Sequence, residues 1–498
     1  MSEGKKEVFE VREETKRNVQ NLDESSQAET EMKAHSNADG KQNVNEPTEK
    51  NSEENKMGVM PIPKLLVNMS LPMMISMLVQ AMYNVVDSIF VAQISEEALT
   101  AVSLAFPIQN LMIAVASGTA VGVNALLSRS LGEKNFEQSD KAANNSIVLA
   151  VISYVLFLLF GLFGTRLFFA SQTNDAKIVS AGISYLSIVC FCSFGVFMQI
   201  MLERLLQSTG RTFYSMITQG TGAIINIIMD PILIFGLCGF PKLGVAGAAV
   251  ATVFGQIVAM LLAFYFNMHS NKEIHFSVKT MKLDPKTVGT IYAVGVPSIL
   301  MMSIGSVMTY GMNKILIAFT ATAAAVFGVY FKLQSFFFMP VFGLNSGIVP
   351  IIAYNYGARK KERIMQTVKL GVLAAFVMMT IGFIVFQTVP DKLLMMFAAS
   401  EEMIAIGTKA LRIISVHFMV ASFCIIIGSV FQALGNGVYS LIVSIGRQLV
   451  ILLPAAWLLA HFFGLDSVWW AFPIAEVMSF ILTSTLFVRI YKQKIKGL

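Results

Sequence analysis

At 498 residues, 55% of them hydrophobic and only 14% charged, with mean hydropathy +0.64, the chain lies outside the composition of soluble globular domains. The formal charge of +6 would suit nucleic acid, but Lys and Arg fall in short connections between apolar stretches and form no stripe with interleaved aromatics, which excludes that partner. Cys190, Cys192, Cys238 and Cys424 have no CxxC spacing, so neither a disulfide framework nor a zinc site is expected.

Residues 1–60 are rich in Glu, Lys, Asn, Ser and Gln, lack a periodicity that could bury a face, and are expected to form a disordered polar tail without the apolar core of a signal peptide. A translation start at Met57 or Met60 is the alternative reading of that tail. Beyond it, twelve apolar stretches follow, each long enough to cross about 30 Å of hydrocarbon. The first six fall at about 68–94, 102–128, 145–169, 180–206, 212–237 and 245–268, giving an N-lobe over 61–268. A polar cytoplasmic linker, 269–287, precedes a C-lobe over 288–498 with stretches at about 288–317, 322–353, 366–389, 403–433, 437–461 and 467–490. Connections after even-numbered stretches carry most of the positive charge, including Arg129, Lys134 and Lys141, then Arg359, Lys360, Lys361 and Arg363. The positive-inside rule therefore places both termini in the cytoplasm.

An internal repeat holds an offset of 225 residues across most of each half. Pro72 matches Pro297, Phe106 matches Phe331, Gln109 matches Gln334, Gly118 matches Gly343 and Gly132 matches Gly357; Gln207, Gly210, Tyr214 and Ser215 match Gln432, Gly435, Tyr439 and Ser440. Six helices separate the copies and six is even, so the halves share one orientation. The expected fold is an all-α integral membrane protein, twelve transmembrane helices in two like-oriented six-helix lobes around a central cavity.

Several segments in order carry a resemblance to the multidrug and toxic compound extrusion (MATE) family, from about Leu66 to the C-terminus. They are LPMMISMLVQAMYNVVDSIFVAQ, LSRSLGEKN, NIIMDPILIFG, GVAGAAVAT and PIIAYNYGARK. The resemblance implies secondary active efflux by alternating access, with proton or sodium antiport of small amphipathic, mostly cationic compounds. It also implies a multi-pass monomer in a bacterial cytoplasmic membrane, with no cofactor beyond the coupling ion. One branch of the family carries carboxylates in the seventh and tenth helices; this chain has none between Pro297 and Ile317 or between Met403 and Leu434. It is similar to bacterial branches whose first-lobe carboxylates carry the cation.

An ionisable group inside a span costs a few kcal/mol at the helix centre, so each intramembrane acid is a functional candidate. Asp87 lies about 19 residues into one outward-running helix and Asp230 about 18 into another, at similar depth. Asn226 precedes Asp230 by one turn on the same face. These three form the candidate cation site, suited to sodium by their oxygens or to a proton shared between neighbouring carboxylates, with Thr252 added by resemblance. No other metal site is expected. Glu203 is either an interfacial side chain beside Arg204 or, by resemblance, a substrate contact; Gln109 and Gln334 are further candidate substrate contacts. In the second lobe Lys332 and Arg447 are intramembrane cations with Glu476 as counter-charge, either a structural pair or a site for an anionic group. His417 reads as a satisfied interhelical histidine. HExxH, P-loop and GxSxG patterns are absent, so an enzyme is not expected. A flippase for lipid-linked saccharides is the alternative transporter, and a membrane enzyme or receptor the distant one.

Overall fold

A chain in hydrocarbon must satisfy its backbone internally, so the apolar runs close into helices. The protein is described here by a computed structural model over residues 54–276, 282–397 and 399–498. The helices are α1 (Ile62–Ala92), α2 (Glu96–Gly132), α3 (Phe136–Phe163), α4a (Ala176–Phe191) with α4b (Phe194–Ser208), α5 (Thr212–Phe235) and α6 (Val245–Ser270). The second half repeats them as α7 (Pro285–Ile317), α8 (Ala321–Gly357), α9 (Lys361–Thr388), α10a (Glu401–Ser415) with α10b (Phe418–Ala433), α11 (Gly437–Phe463) and α12 (Ala471–Ile490). Among the described residues ten helices are long and apolar enough to span, and the two bent pairs, each taken as one span, complete twelve.

The fourth and tenth spans, expected as continuous, are bent by 45° and 50°. Both breaks fall at equivalent repeat positions, around Cys192 and His417. The bends keep their polar groups satisfied locally: Ser193 Oγ donates to the Cys190 carbonyl at 2.8 Å, and His417 Nδ1 lies 2.5 Å from the Ile414 carbonyl. The repeat extends to caps and turns. Ser95 caps α2 and Thr320 caps α8, each hydroxyl accepting from the N–H three residues on. Gly210 and Gly435 turn the chain into α5 and α11 at φ +87° and +78°, a left-handed conformation that side chains rarely adopt.

The lobes meet along two related seams, α2 against α7 and α1 against α8. A Cβ on Gly118 would stand 2.8 Å from the Ile299 nitrogen, and one on Gly343 would stand 2.7 Å from the Met74 nitrogen. Gly122 meets the Gly295 nitrogen at 3.2 Å and Gly347 the Ser70 nitrogen at 2.9 Å; farther along, Gly132 meets the Tyr354 carbonyl and Gly357 the Arg129 carbonyl. Each contact and its mate are 225 residues apart on both sides, so the seams are copies related by the axis between the lobes. Backbone here touches backbone, which only glycine permits.

Most of the predicted tail, 1–53, and residues 277–281 of the linker lie outside the described residues. Residues 54–60, expected within the disordered tail, are instead an ordered strap. Asn55 caps a turn of helix, Lys56–Val59, whose Met57 is fully buried. One apolar anchor suffices because backbone acceptors on the strap are met by side chains from the C-lobe. Arg363 Nη2 donates to the Met57 and Met60 carbonyls at 2.9 and 2.8 Å, Asn355 donates to the Met57 carbonyl at 3.0 Å, and Lys360 Nζ to the Gly58 carbonyl at 3.0 Å. On the other side Asn55 donates to the Thr209 carbonyl at 3.1 Å and to Glu273. The strap therefore bridges both lobes at the end of the bundle that also holds residues 494–498.

Candidate functional site

The N-lobe encloses a polar cavity of about 160 Å³ walled by α1, α4b, α5 and α6. On α5, Asn226 and Asp230 are one turn apart and both buried, at 3% and 0% exposure. Pro231 follows at once and removes a helix hydrogen bond beside the carboxyl. The half-buried Asp87 carboxyl on α1 lies beside that of Asp230, and two carboxyls so placed favour a proton or a cation between them. In the orientation that satisfies its neighbours, the Asn226 amide donates to Asp230 Oδ2 at 3.2 Å and accepts from Thr252 Oγ1 at 3.3 Å and the Thr252 N–H at 3.2 Å. Asp230 Oδ1 is buried with no hydrogen-bond partner. The structure thus brings Asp87, Asn226, Asp230 and Thr252 to one place, with the Phe90 and Phe235 rings packed edge to face near the same end of α1 and α5.

Glu203 is 2% exposed, so it does not reach out to the interface beside Arg204. Its Oε1 accepts from Thr218 Oγ1 at 2.9 Å and from Gln199 Nε2 at 3.1 Å, and its Oε2 from Gln219 Nε2 at 2.7 Å; Gln219 in turn accepts from Ser76 on α1. Glu203, Asn226 and Thr252 line the same cavity, as do Tyr83 and Gln219, which sequence reasoning missed. Gln199 was findable at i−4 on the same helix face; Gln219, on another helix, left no local signal.

A second cavity, about 730 Å³, lies between α7, α8, α10b, α11 and α12, with Phe106, Pro107 and Asn110 of α2 closing one side. Its walls combine Phe and Tyr rings with polar side chains such as Asn110, Asn313 and Gln334. Gln334 lines it, whereas its repeat mate Gln109 is tied to Tyr185 Oη at 3.0 Å inside the N-lobe. Arg447 and Glu476 form an ion pair at 3.2 Å, both on this cavity wall. Lys332, grouped with them from sequence, is exposed and stands off that wall. Phe331, Gln334, Ser335 and Phe338 form the cavity-facing stripe of α8, and Lys332 is rotated about 100° from Phe331. His417 also lines this cavity, its Nδ1 held by the Ile414 carbonyl. Among the described residues no cluster of three or more His, Cys, Asp or Glu could hold a metal ion.

Two like-oriented six-helix lobes, sealed together at one end and holding cavities among their helices, define a transporter architecture. The pattern of the MatE family matches residues 72–232 and 297–458, once in each half, and the chain belongs to that family. It is 27% identical over 416 residues to the multidrug export protein MepA of Staphylococcus haemolyticus (strain JCSC1435), covering 83% of this chain and 91% of that protein. A MATE crystallised in complex with MaL6 shares the fold at TM-score 0.84 and 26% identity, over 90% of this chain and all, 100%, of that one. A multidrug resistance MATE transporter in an outward-facing conformation does so at TM-score 0.83 and 25% identity, over 89% and 100%.

Proposed function

We propose that the chain is a secondary active exporter that exchanges an entering cation for small amphipathic, cationic drug-like compounds by alternating access. The observation that carries the reading is the contact between the Asp87 and Asp230 carboxyls, which holds a place for one positive charge. A proton fits best, because the Asn226 amide turns its nitrogen to Asp230 and commits its oxygen to Thr252. Sodium, which needs several oxygens converging, is the alternative ion. The relatives named for multidrug export support the substrate class.

The strap-bearing end carries the basic connections and is the cytoplasmic side of a bacterial inner membrane, with both termini inside. The glycine seams then close the cytoplasmic face, and this conformation is outward-facing. A cavity of about 160 Å³ in the N-lobe admits an ion and water, whereas about 730 Å³ in the C-lobe falls within the range that holds drug-sized ligands. Cation entry at Asp87 and Asp230 reshapes the N-lobe wall that includes Glu203 and weakens the hold on substrate, a coupling that is reciprocal for the two binding free energies. Gln334 contacts substrate in the larger cavity, and Gln109 positions Tyr185. The protein acts as a monomer without a resident cofactor.

The test is ethidium efflux from proteoliposomes under a proton gradient and, separately, a sodium gradient. Proton-driven efflux abolished by Asp87→Asn and by Asp230→Asn is expected; efflux of native rate in the double variant would sink the reading. The arginine in the C-lobe cavity favours one rival, a flippase for lipid-linked saccharides, and rescue of a flippase-deficient strain is the outcome that rival requires.

A further inference from the structure

The residues of the larger cavity point to a substrate chemistry that the acidic N-lobe does not provide. α11 departs from regular α-helix at a π-helical turn, Gly446–Leu452, and such turns shift the register of the side chains that follow. Arg447 and Gln448, both within this turn, line the cavity. Arg447 is held by one hydrogen bond, from Nη1 to Glu476 Oε2 at 3.2 Å. That is longer than the 2.7–2.9 Å usual for a guanidinium on a carboxylate. Its side chain remains 29% exposed, in a wall that includes the rings of Tyr330, Phe338 and Phe472. Glu476, with a side chain 3% exposed, leaves Oε1 buried and without a hydrogen-bond partner.

An ion pair that served only packing would bury both partners and satisfy both oxygens. Here one carboxyl oxygen has no hydrogen-bond partner, and the guanidinium makes one hydrogen bond on a side chain 29% exposed beside a cavity of ligand size. A guanidinium has five N–H donors in a planar fork that fits a carboxylate with two parallel bonds. Glu476 engages one of them. The repeat mate of Arg447 is Gly222, which lines the N-lobe cavity, so related positions carry a cation in one lobe and no side chain in the other.

We propose that the C-lobe cavity binds flat aromatic compounds bearing a carboxylate, with Arg447 as the group that recognises the acid, Glu476 holding the guanidinium in place when the cavity is empty, and the surrounding rings taking the aromatic body. It rests on the efflux reading for the fate of the bound compound, not for the binding itself.

The experiment measures equilibrium binding of pyrene-1-carboxylate and of the near-isosteric neutral pyrene-1-carboxamide to the full chain in phosphatidylcholine nanodiscs, by fluorescence, against protein-free discs. The native protein is expected to bind the acid about tenfold more tightly than the amide, as a bidentate charge-assisted pair provides. Arg447→Gln removes that preference, lowering acid binding more than amide binding; Arg447→Lys, which keeps the charge and loses the fork, retains part of it. Glu476→Gln frees the fork and tightens the acid. Equal binding of acid and amide by the native protein overturns the proposal without any variant. So does an equal loss of both ligands in folded Arg447→Gln protein, which marks the pair as structural. No gradient is imposed, so failure of cation-driven efflux would sink the exporter reading and leave this one standing, and loss of acid preference would do the reverse.

Discussion

Alanine at Gly122 tests the seam between the lobes. Its Cβ would stand 2.9 Å from the Ile291 carbonyl carbon and 3.2 Å from the Gly295 nitrogen, with the Ile291 oxygen closer still. These are backbone atoms of α7, so no side-chain rotation relieves the overlap, and α2 and α7 must part by some tenths of an ångström. Overpacking of this kind costs about 1–3 kcal/mol, whereas the helix-propensity gain of alanine is common to the open and closed states and cancels. A loss of about 1–3 kcal/mol from the closed seam raises the fraction open at that end about five- to 150-fold. Gly328→Ala, on α8 with nothing within 4 Å of the new atom, is the control. The assay is maleimide reaction at Ser70→Cys, 3% exposed in the companion α1–α8 seam, in protein with the four native cysteines replaced. Because the site read is on the other seam, acceleration there reports separation of whole lobes. Equal labelling rates in Gly122→Ala, Gly328→Ala and the parent would refute a gate built on backbone contact.

Arg363→Ala removes the side-chain donor of the Met60 carbonyl and one of the two on the Met57 carbonyl, and at about 1–3 kcal/mol for a group left unsatisfied, hydrogen exchange of the 57–60 amides is expected to quicken at least tenfold. A change below threefold would show that the strap docks without it. Glu54 is held below the ordinary carboxylate range by the hydrogen bond from Lys360, 2.5 Å away. Its depressed folded value means that the contribution is fully present above the ordinary carboxylate value and is lost as pH falls through the depressed one. Burial raises the nearby Glu273, which acts in the opposite sense, so the profile is taken in Glu273→Gln protein. Exchange at 57–60, corrected for intrinsic rates, then rises on acidification, and a flat profile identical to that of Glu54→Gln would contradict the linkage. Gly435→Ala, forced into φ +78°, should lower the melting temperature by a few degrees at about 1–2 kcal/mol; an unchanged or higher one would refute the strain.

The helices and their repeat were legible because hydrocarbon imposes length and internal hydrogen bonding on every span, whatever the tertiary partners. The bends at Cys192 and His417 were not, since apolar sequence runs through both and a local serine or histidine satisfies the break. Depth along each helix sufficed to bring Asp87, Asn226 and Asp230 together, because one coordinate fixes position once the helix directions are known. It could not show that Gln219 reaches Glu203 or that Gln109 turns to Tyr185, since those contacts depend on rotation about each helix axis. Lys332 was misplaced for the same reason: its depth is close to that of the cavity stripe, and its azimuth is wrong. The strap was missed because a single buried methionine carries no periodic signal, and its remaining anchors are side chains some three hundred residues away.

The repeat is kept where the lobes touch and abandoned where they bind. At the seams Gly118, Gly122 and Gly132 are mirrored by Gly343, Gly347 and Gly357, and even the atoms they meet are repeat mates. Within the lobes, Asp87 has Met312 as its counterpart, Glu203 has Gly428, and Gly222 has Arg447. Backbone contact across an axis constrains both copies together, because a side chain on either one separates both lobes. A cavity inside one lobe imposes no such condition on the other. The seam can therefore act as a single symmetric gate while one lobe holds a carboxyl pair and the other a guanidinium. It follows that a substitution at a seam glycine should alter binding in both cavities together, whereas Asp230→Asn should leave the acid preference at Arg447 intact in a protein held outward-facing. Binding of pyrene-1-carboxylate to Asp230→Asn and to Gly122→Ala separates these cases, and equal effects of the two variants would mean that the cavities communicate by a route other than the gate.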